Sequence, residues 1–585
     1  MCRRPLAKWF LAVAIMGTFF VTLQWLNLIP VHIMSRIPQF PTINDVTKIQ
    51  NVSLTSSKGY IKETRAGTVH SFKDEIIQSK SKIVMKTILR SPMAAISRNI
   101  LDRYLEYRQI KRVQSFKELY DPRFSVVEID RKSGSLIAGS KLTIRISLYN
   151  GFNQSLTQGG DLLNIWLRNA KGTSAVAGHV VDHMNGNYTG HVMAFWAGNV
   201  ILKLTVTNTK EGIGLYTNYV HERGAYQFIK ATFSNGNKTE MTLCAASKSN
   251  WLEKRYGGLC NLTKENYNIS FFCGKPRSLS CTSWLKYSRD NDLHFDLNTS
   301  KILSYKDRLL KRIKLTIIPS ANGDLDYPMP KTPCKDLPPA LTWNSTVPSG
   351  FLHRGKYHNL ICRQTVDPSC EKYRTCLKDR HVISIGDSTT RQWFIRLATV
   401  LGISGSIGIP SNKVWQKFAR AYNHTMGLDT EWQPHELPFF GWNANRKNNK
   451  SVANRLDRIP SSSAAIVIIH WYAHIAACCD HIALRQRVRN AKAAMTRLLE
   501  RSPNVQIFIK GPHLVTYAHA LAPFKYIGMF VEQVLLEELS NFTDRIIYLD
   551  QWDMSVATEN IDIHPDSTLD DLSLNNLINF ACKLH

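Results

Sequence analysis

The chain has 585 residues, 44% of them hydrophobic, and its 74 Lys and Arg against 45 Asp and Glu give a formal net charge of +29. That length predicts about three or four domains, and the hydrophobic share is ordinary for a globular protein. A surface this basic favours an acidic partner: a sulfated or sialylated glycan, a lipid surface or nucleic acid. The lumenal features described next exclude cytosolic nucleic-acid binding.

Residues 1–8, with Arg3, Arg4 and Lys8, precede an uncharged run from Trp9 to Ser35. Its densest part, residues 9–29, is 21 residues long, enough to cross a bilayer at about 20 residues. The basic flank predicts a cytoplasmic tail and a lumenal remainder. A cleaved signal peptide is the other reading, although the bulky QWLNLIPVHIM lacks a small-x-small cleavage site. Glycosylation sequons follow at Asn51, Asn153, Asn187, Asn237, Asn261, Asn268, Asn298, Asn344, Asn423, Asn449 and Asn541. Apart from Cys2, eleven cysteines lie past the apolar run. Cys244, Cys260, Cys273, Cys281, Cys334, Cys362, Cys370 and Cys376 cluster, which predicts disulfides in an oxidising lumen. Eleven is odd, so one thiol is free or pairs between chains, and the adjacent Cys478 and Cys479 do not suit one another.

Residues 30–118 read as a basic helical stem. Residues 119–245 read as an all-β sandwich of immunoglobulin-like type: in KLTIRISLY, Leu142, Ile144, Ile146 and Leu148 alternate with polar residues, and VILKLTV repeats the pattern. Its expected role is binding or spacing. Residues 246–376 read as a Cys-rich, disulfide-stapled connector. From residue 377 to 585 four continuous apolar runs, HVISIG, AAIVIIH, NVQIFIKG and DRIIYLD, alternate with helical stretches. This predicts a parallel α/β sheet covered on both faces, with ligands beyond the C-terminal strand ends.

At those ends, Gly386-Asp387-Ser388 is either a helix cap or a nucleophile at a helix N-terminus, where the dipole stabilises an oxyanion. The last strand leads to Asp550, Asp553, Asp562, His564 and Asp566. A serine needs a base, and the base an orienting acid; His564 with Asp562 fits that need. Gly441 and Asn443 are candidate oxyanion donors. His470, His474, Lys510 and His513 follow the second and third strands, and no HExxH-like spacing predicts a metal.

The GDS turn with a late Asp/His-Pro loop resembles the PC-esterase branch of the SGNH/GDSL hydrolase-like superfamily. The β region with its Cys-rich extension resembles neurexophilin. Together, with GDSTTRQWF, they are similar to the neurexophilin and PC-esterase domain family over nearly all of the chain after the stem. The resemblance implies acyl-ester chemistry on hydroxyls of cell-surface or secreted glycans, sialoglycans among them, with O-acetyl transfer preferred over hydrolysis. No bound cofactor is expected, and the acyl donor is left open, with acetyl-CoA as one candidate. The location would be the Golgi lumen as a single-pass type II membrane protein, or secretion. Ser388 would form the acyl-enzyme, His564 would take its proton, and the Ser388 and Gly441 N–H groups would bind the oxyanion. Arg391, His474 and Lys510 would line the substrate.

Two departures stand out. Asp562-Ile563-His564 is one residue shorter than the Asp-x-x-His of that branch, which turns Asp562 to the other side of an extended segment and leaves Asp553 as the second orienting candidate. The loop HWYAHIAACC lacks the branch's Asn donor. The alternative function is an inactive neurexophilin-like ligand that meets a cell-surface protein through the β-sandwich.

Overall fold

The computed structural model describes residues 104–582 apart from 112, 131–135, 291, 293–301, 303–307, 345–346, 404–416, 440, 442–443 and 516–523. These residues fall in one compact unit, Ile88–His585. The apolar run at 9–29, Asn51, Asn298 and Asn443 lie outside the described residues. Among the described residues no helix is long and apolar enough to cross a membrane.

Helix α1 (Tyr104–Gln109) leads to strands β1 (Val126–Ile129), β2 (Ser140–Ser147), β3 (Leu162–Arg168), β4 (Ala175–Ala177), β5 (His179–Asp182), β6 (Asn187–Ala194) and β7 (Gly198–Asn208). Helices α2 (Lys210–Arg223) and α3 (Asn250–Tyr256) alternate with β8 (Ile229–Ser234), β9 (Thr239–Ala245), β10 (Leu259–Asn261), β11 (Phe272–Gly274) and β12 (Trp284–Arg289). Then come β13 (Arg308–Ile317), β14 (Gly350–His353) and β15 (Lys356–Asn359).

A four-stranded sheet, β1-β2-β6-β5, faces a six-stranded one, β13-β7-β3-β4-β14-β15. Both are antiparallel. The alternation explains why they meet: Leu142, Ile144 and Ile146 of β2 share one core with Ile165, Leu167, Val200, Leu202 and Leu204, while Arg145 stays exposed. A third antiparallel sheet runs β10-β11-β9-β8-β12, stapled by Cys244–Cys273 and Cys260–Cys281.

Two expected boundaries change. Residues 246–376 are not a separate connector, because β13, β14 and β15 complete the second sheet and β10, β11 and β12 the third. The stem ends before α1: the Tyr107 hydroxyl donates to Gly160 O at 3.0 Å, and Asn218 Nδ2 to Arg108 O at 3.1 Å.

The chain continues through α4 (Cys370–Leu377), β16 (His381–Gly386), α5 (Ser388–Leu401), β17 (Ala419–Asn423), β18 (Leu428–Pro434), β19 (Ala444–Asn445), α6 (Val452–Asp457) and β20 (Ile466–Ile469). It ends with α7 (Ala473–Cys478), α8 (His481–Arg501), β21 (Gln506–Lys510), α9 (Phe524–Leu539), β22 (Ile546–Leu549), α10 (Trp552–Thr558) and α11 (Ser567–Ala581). The fourth sheet is β17-β18-β16-β20-β21-β22, parallel except for β17 at its edge. Successive residues enter different cores: Ile383, Ile385, Val467, Ile469, Ile507 and Ile509 on one face, Val382, Ile466, Ile468 and Phe508 on the other. That double burial is why these runs are continuously apolar. Strands β17 and β18 escape the sequence pattern because β18 carries Asp429 and Glu431, paired to Arg420 and Arg455. β19 pairs with β12 and joins the third sheet to this region.

Cys334 bonds Cys362, and Cys376 bonds Cys582 rather than a cysteine of the cluster. Cys370 is also disulfide-bonded. Cys478 and Cys479 are both free and buried, so two thiols are free rather than one. Asn449 is corrected as a glycosylation site: it is buried, Nδ2 donates to His435 O at 2.9 Å, and Oδ1 accepts from the Tyr287 hydroxyl at 2.6 Å.

Cys376–Cys582 ties the end of α4 to the end of α11 across 206 residues. Removing so long a closure should cost about 2–4 kcal/mol. The paired Cys376→Ser, Cys582→Ser protein should unfold at lower denaturant than wild type; an unchanged midpoint would show the bond to be dispensable.

Candidate active site

Strand β16 ends at Gly386, where nothing larger fits. A Cβ there would lie 2.6 Å from Thr390 Oγ1 and 3.0 Å from the His470 backbone oxygen. The chain turns at Asp387, the N-cap of α5. Asp387 is fully buried, and its Oδ1 accepts from Thr389 N at 2.8 Å and Thr389 Oγ1 at 2.7 Å. Its Oδ2 accepts from the N–H of Ala473, the first residue of α7, at 3.1 Å. Gly386, Asp387 and these bonds fix Ser388 as the first helical residue, half-buried beyond the C-terminal end of β16.

The loop from α10 to α11 delivers His564, whose Nε2 lies 2.8 Å from Ser388 Oγ. Gln392, one turn on from Ser388, donates Nε2–H to Pro565 O at 2.8 Å and clamps that loop to α5. Asp566 caps α11, accepting from Thr568 N and Leu569 N, and its own N–H donates to Asn560 Oδ1 at 3.0 Å. At the loop's start Glu559, in left-handed backbone (φ 58°), accepts from Trp166 Nε1 at 2.9 Å and pairs with Lys203 and Arg168 of the β region. Burial opposes ionisation of Glu559, but hydrogen bonds from Lys203 and Trp166 and the charge of Arg168 outweigh it and hold its carboxyl below the usual range. The structure therefore brings Ser388 and His564 into contact through two loops anchored on different elements.

The expected orienting acids are placed elsewhere. Asp562 is exposed, and its backbone oxygen accepts from His513 Nε2 at 3.1 Å; no partner of its carboxylate occurs among the described residues. Asp553 is buried in α10, where Oδ2 accepts from Ser349 N at 2.8 Å. Burial, then repulsion from Asp550, pushes the Asp553 carboxyl well above its usual range. Among the described residues no carboxylate hydrogen-bonds the His564 ring. The negative charge that His564 feels is that of Asp387. Protein surrounding the open ring lowers its pKa below 6.5, and Asp387 partly offsets the shift.

Asp387 is the functional candidate that sequence reasoning passed over as a turn residue. Burial opposes its ionisation, but His470, Lys510 and the Thr389 bonds reverse that and hold its carboxyl far below the usual range. His470 is itself neutral above about 3, so near neutral pH Lys510 supplies the compensating charge. Lys510 is correspondingly not a substrate ligand: it is buried, its Nζ donates to Thr389 Oγ1 at 2.7 Å and lies 5.0 Å from the Trp393 ring. Burial lowers its pKa to about 8. His474 is likewise wall rather than ligand, buried with its ring 4.3 Å from that of Phe439. Arg391 remains available: it is half-buried, 5.9 Å from the Trp432 ring, and its Nε is unpartnered. Gly441 offers its carbonyl to Arg289 N at 3.0 Å. Among the described residues no cluster of three or more His, Cys, Asp or Glu could hold a metal.

Residues 357–582, which carry this site, match the family described as "NXPE family member 4-like, C-terminal domain". A structural comparison pairs 78% of this chain with 99% of a family two carbohydrate esterase from Cellvibrio japonicus, at 10% identity and a TM-score of 0.19. A score that low establishes no shared fold.

His470, His474 and His513 are each lowered to about 3, first by burial. Unfolded they titrate near 6.5. Between those values the unfolded chain binds protons that the folded chain does not, so stability falls on acidification by about 1.4 kcal/mol per pH unit per histidine. The denaturation midpoint should drop from pH 6.5 to 5, and His513→Gln should flatten that slope. A pH-independent midpoint would mean the imidazoles are already charged.

Proposed function

We propose that this protein is a serine-dependent acyl-transfer enzyme of the secretory pathway that esterifies, or de-esterifies, hydroxyls of glycans. The observation that carries the reading is the 2.8 Å contact between Ser388 Oγ and His564 Nε2 at the C-terminal end of β16 and the N-terminus of α5. A serine with a base in hydrogen-bond reach at a helix N-terminus is the arrangement acyl transfer needs. We read the C-terminal sheet as SGNH-like and the paired antiparallel sheets as an immunoglobulin-like, neurexophilin-type sandwich. Disulfides within the described residues favour an oxidising compartment, with the 9–29 segment as anchor or signal.

In this mechanism His564 Nε2 takes the Ser388 proton as Oγ attacks the acyl carbonyl of the donor. The negative oxygen of the tetrahedral intermediate meets backbone N–H groups at the start of α5, with Gly441 and Asn443 as further candidate donors. His564 then returns the proton to the leaving group, leaving acyl-Ser388. A sugar hydroxyl gives its proton to His564 and attacks the acyl-enzyme; His564 passes that proton to Ser388 Oγ as the acyl–Oγ bond breaks, releasing the ester and restoring the serine hydroxyl, and water in place of the sugar gives hydrolysis. The imidazolium at each step is stabilised by the field of buried Asp387, so the pair works as a dyad with a remote carboxylate. Arg391, one turn from Ser388 and without a carboxylate partner among the described residues, suits an anionic acceptor such as a sialoglycan, in keeping with the +29 charge.

Ser388→Ala expressed beside wild type should abolish the change in glycan O-acetylation that wild type produces over untransfected cells. Equal profiles at equal expression would remove the serine mechanism and leave the ligand reading, in which the β region binds a cell-surface protein.

The lowered pKa of His564 sets a pH signature. The base must be neutral, so kcat/KM should rise with pH to a plateau, with its acid limb centred below 6.5. A limb centred above 6.5 would point to a carboxylate that engages His564 during turnover.

A further inference from the structure

Beyond the Ser388–His564 pair lies a cavity of about 600 Å³ that no step above uses. That volume is typical of a small-molecule site. Two of its walls are the second half of α5, which starts with Ser388, and the first half of α11, which follows the His564 loop. On α5, Ser388, Gln392, Arg396 and Val400 recur every fourth residue and so share one helix face. Ser388 meets His564, Gln392 holds Pro565, and Arg396 and Val400 line the cavity. On α11, Ser567, Asp571 and Asn575 form the matching stripe, starting three residues after His564. Arg396 binds Asp571 through both oxygens, at 2.6 and 2.7 Å, and joins the two stripes. The cavity thus begins about 12 Å from Ser388 along the helix axis, at 1.5 Å per residue.

We propose that this cavity is a saccharide subsite that holds sugars of the acceptor glycan away from the reacting hydroxyl; the inference rests on the acyl-transfer reading above. Three features select the ligand class. Lys356 and Arg396 are balanced by Asp367 and Asp571, so the lining has no excess positive charge for a polyphosphate such as acetyl-CoA. Tyr357 and Tyr373 sit with Val366, Val400 and Leu572, giving apolar walls for the C–H faces of sugar rings. Gln364 lines the same wall and brings a side-chain amide, which can both donate to and accept from a hydroxyl. A neutral polyhydroxyl ring satisfies all three, whereas a fatty chain leaves Gln364 and the ion pair facing hydrocarbon. The anionic sugar would then face Arg391 at the reacting end, and the neutral sugars would fill the cavity.

The test uses full-length protein and the neutral disaccharide N-acetyllactosamine as probe, followed by calorimetry, with p-nitrophenyl acetate hydrolysis reporting Ser388 chemistry. Wild type and Ser388→Ala should bind the disaccharide equally. Val400→Trp, which fills the cavity, and Gln364→Leu, which removes the donor, should weaken binding at least tenfold while ester turnover stays at the wild-type rate. A loss in either variant with a wild-type unfolding transition supports the subsite. No saturable binding by wild type, wild-type affinity in both variants, or displacement of the disaccharide by acetyl-CoA overturns it. Failure of the serine reading shows separately, as equal ester turnover in wild type and Ser388→Ala.

Discussion

A single buried carboxylate organises the candidate site. Asp387 lies at the junction of three parallel strands: it follows the last residue of β16, accepts a backbone N–H from the start of α7, the helix that follows β20, and receives its compensating charge from Lys510 at the end of β21. Burying an ionised carboxylate is costly unless it is hydrogen-bonded and paired. Here Thr389 donates twice and also accepts from Lys510, so the threonine side chain links acid to cation. Removing any member would leave another charge or donor unsatisfied in the interior. The position of Ser388 is set by this network, which lies beneath it and not on the surface that meets substrate.

The same charge reaches His564 without touching it. An orienting carboxylate that hydrogen-bonds an imidazole fixes both its tautomer and its charge. In this protein the two tasks are divided. Gln392, Asp566 and Asn560 hold the loop that presents the ring, and Asp387 supplies the potential that favours its protonated form.

Much of this was legible in the sequence where the signal is local. The apolar runs at β16, β20, β21 and β22 are continuous because both faces of each strand are buried, and the residues that follow them are the ones that meet. Ser388 and His564 stand out because each directly follows such an element or its loop. What is missed is non-local. β14 pairs with β4 across more than a hundred residues (Leu352 opposite Ala175), and nothing in the GFLH stretch announces it. The same holds for the Cys376–Cys582 bond. By residue type alone Lys510, His474 and Asp553 look like ligands or acids, because type carries no information on burial; each is enclosed in the interior. β18 was lost because its Asp429 and Glu431 look like loop residues until Arg420 and Arg455 are seen beside them.

Glu559 carries a consequence for how such a chain can change over time. Its carboxylate is held by Trp166, Arg168 and Lys203, three residues of the antiparallel sheet, and it starts the loop that ends in His564. The β region is thus a strut for the loop and cannot be exchanged like a bead on a string. Any replacement would have to reproduce an indole N–H and two cations at the same spot. Recombination at the outer limit of the segment 357–582 would leave a half-buried acid without its partners. Glu559 and its three partners are therefore positions where one half of this protein constrains the other.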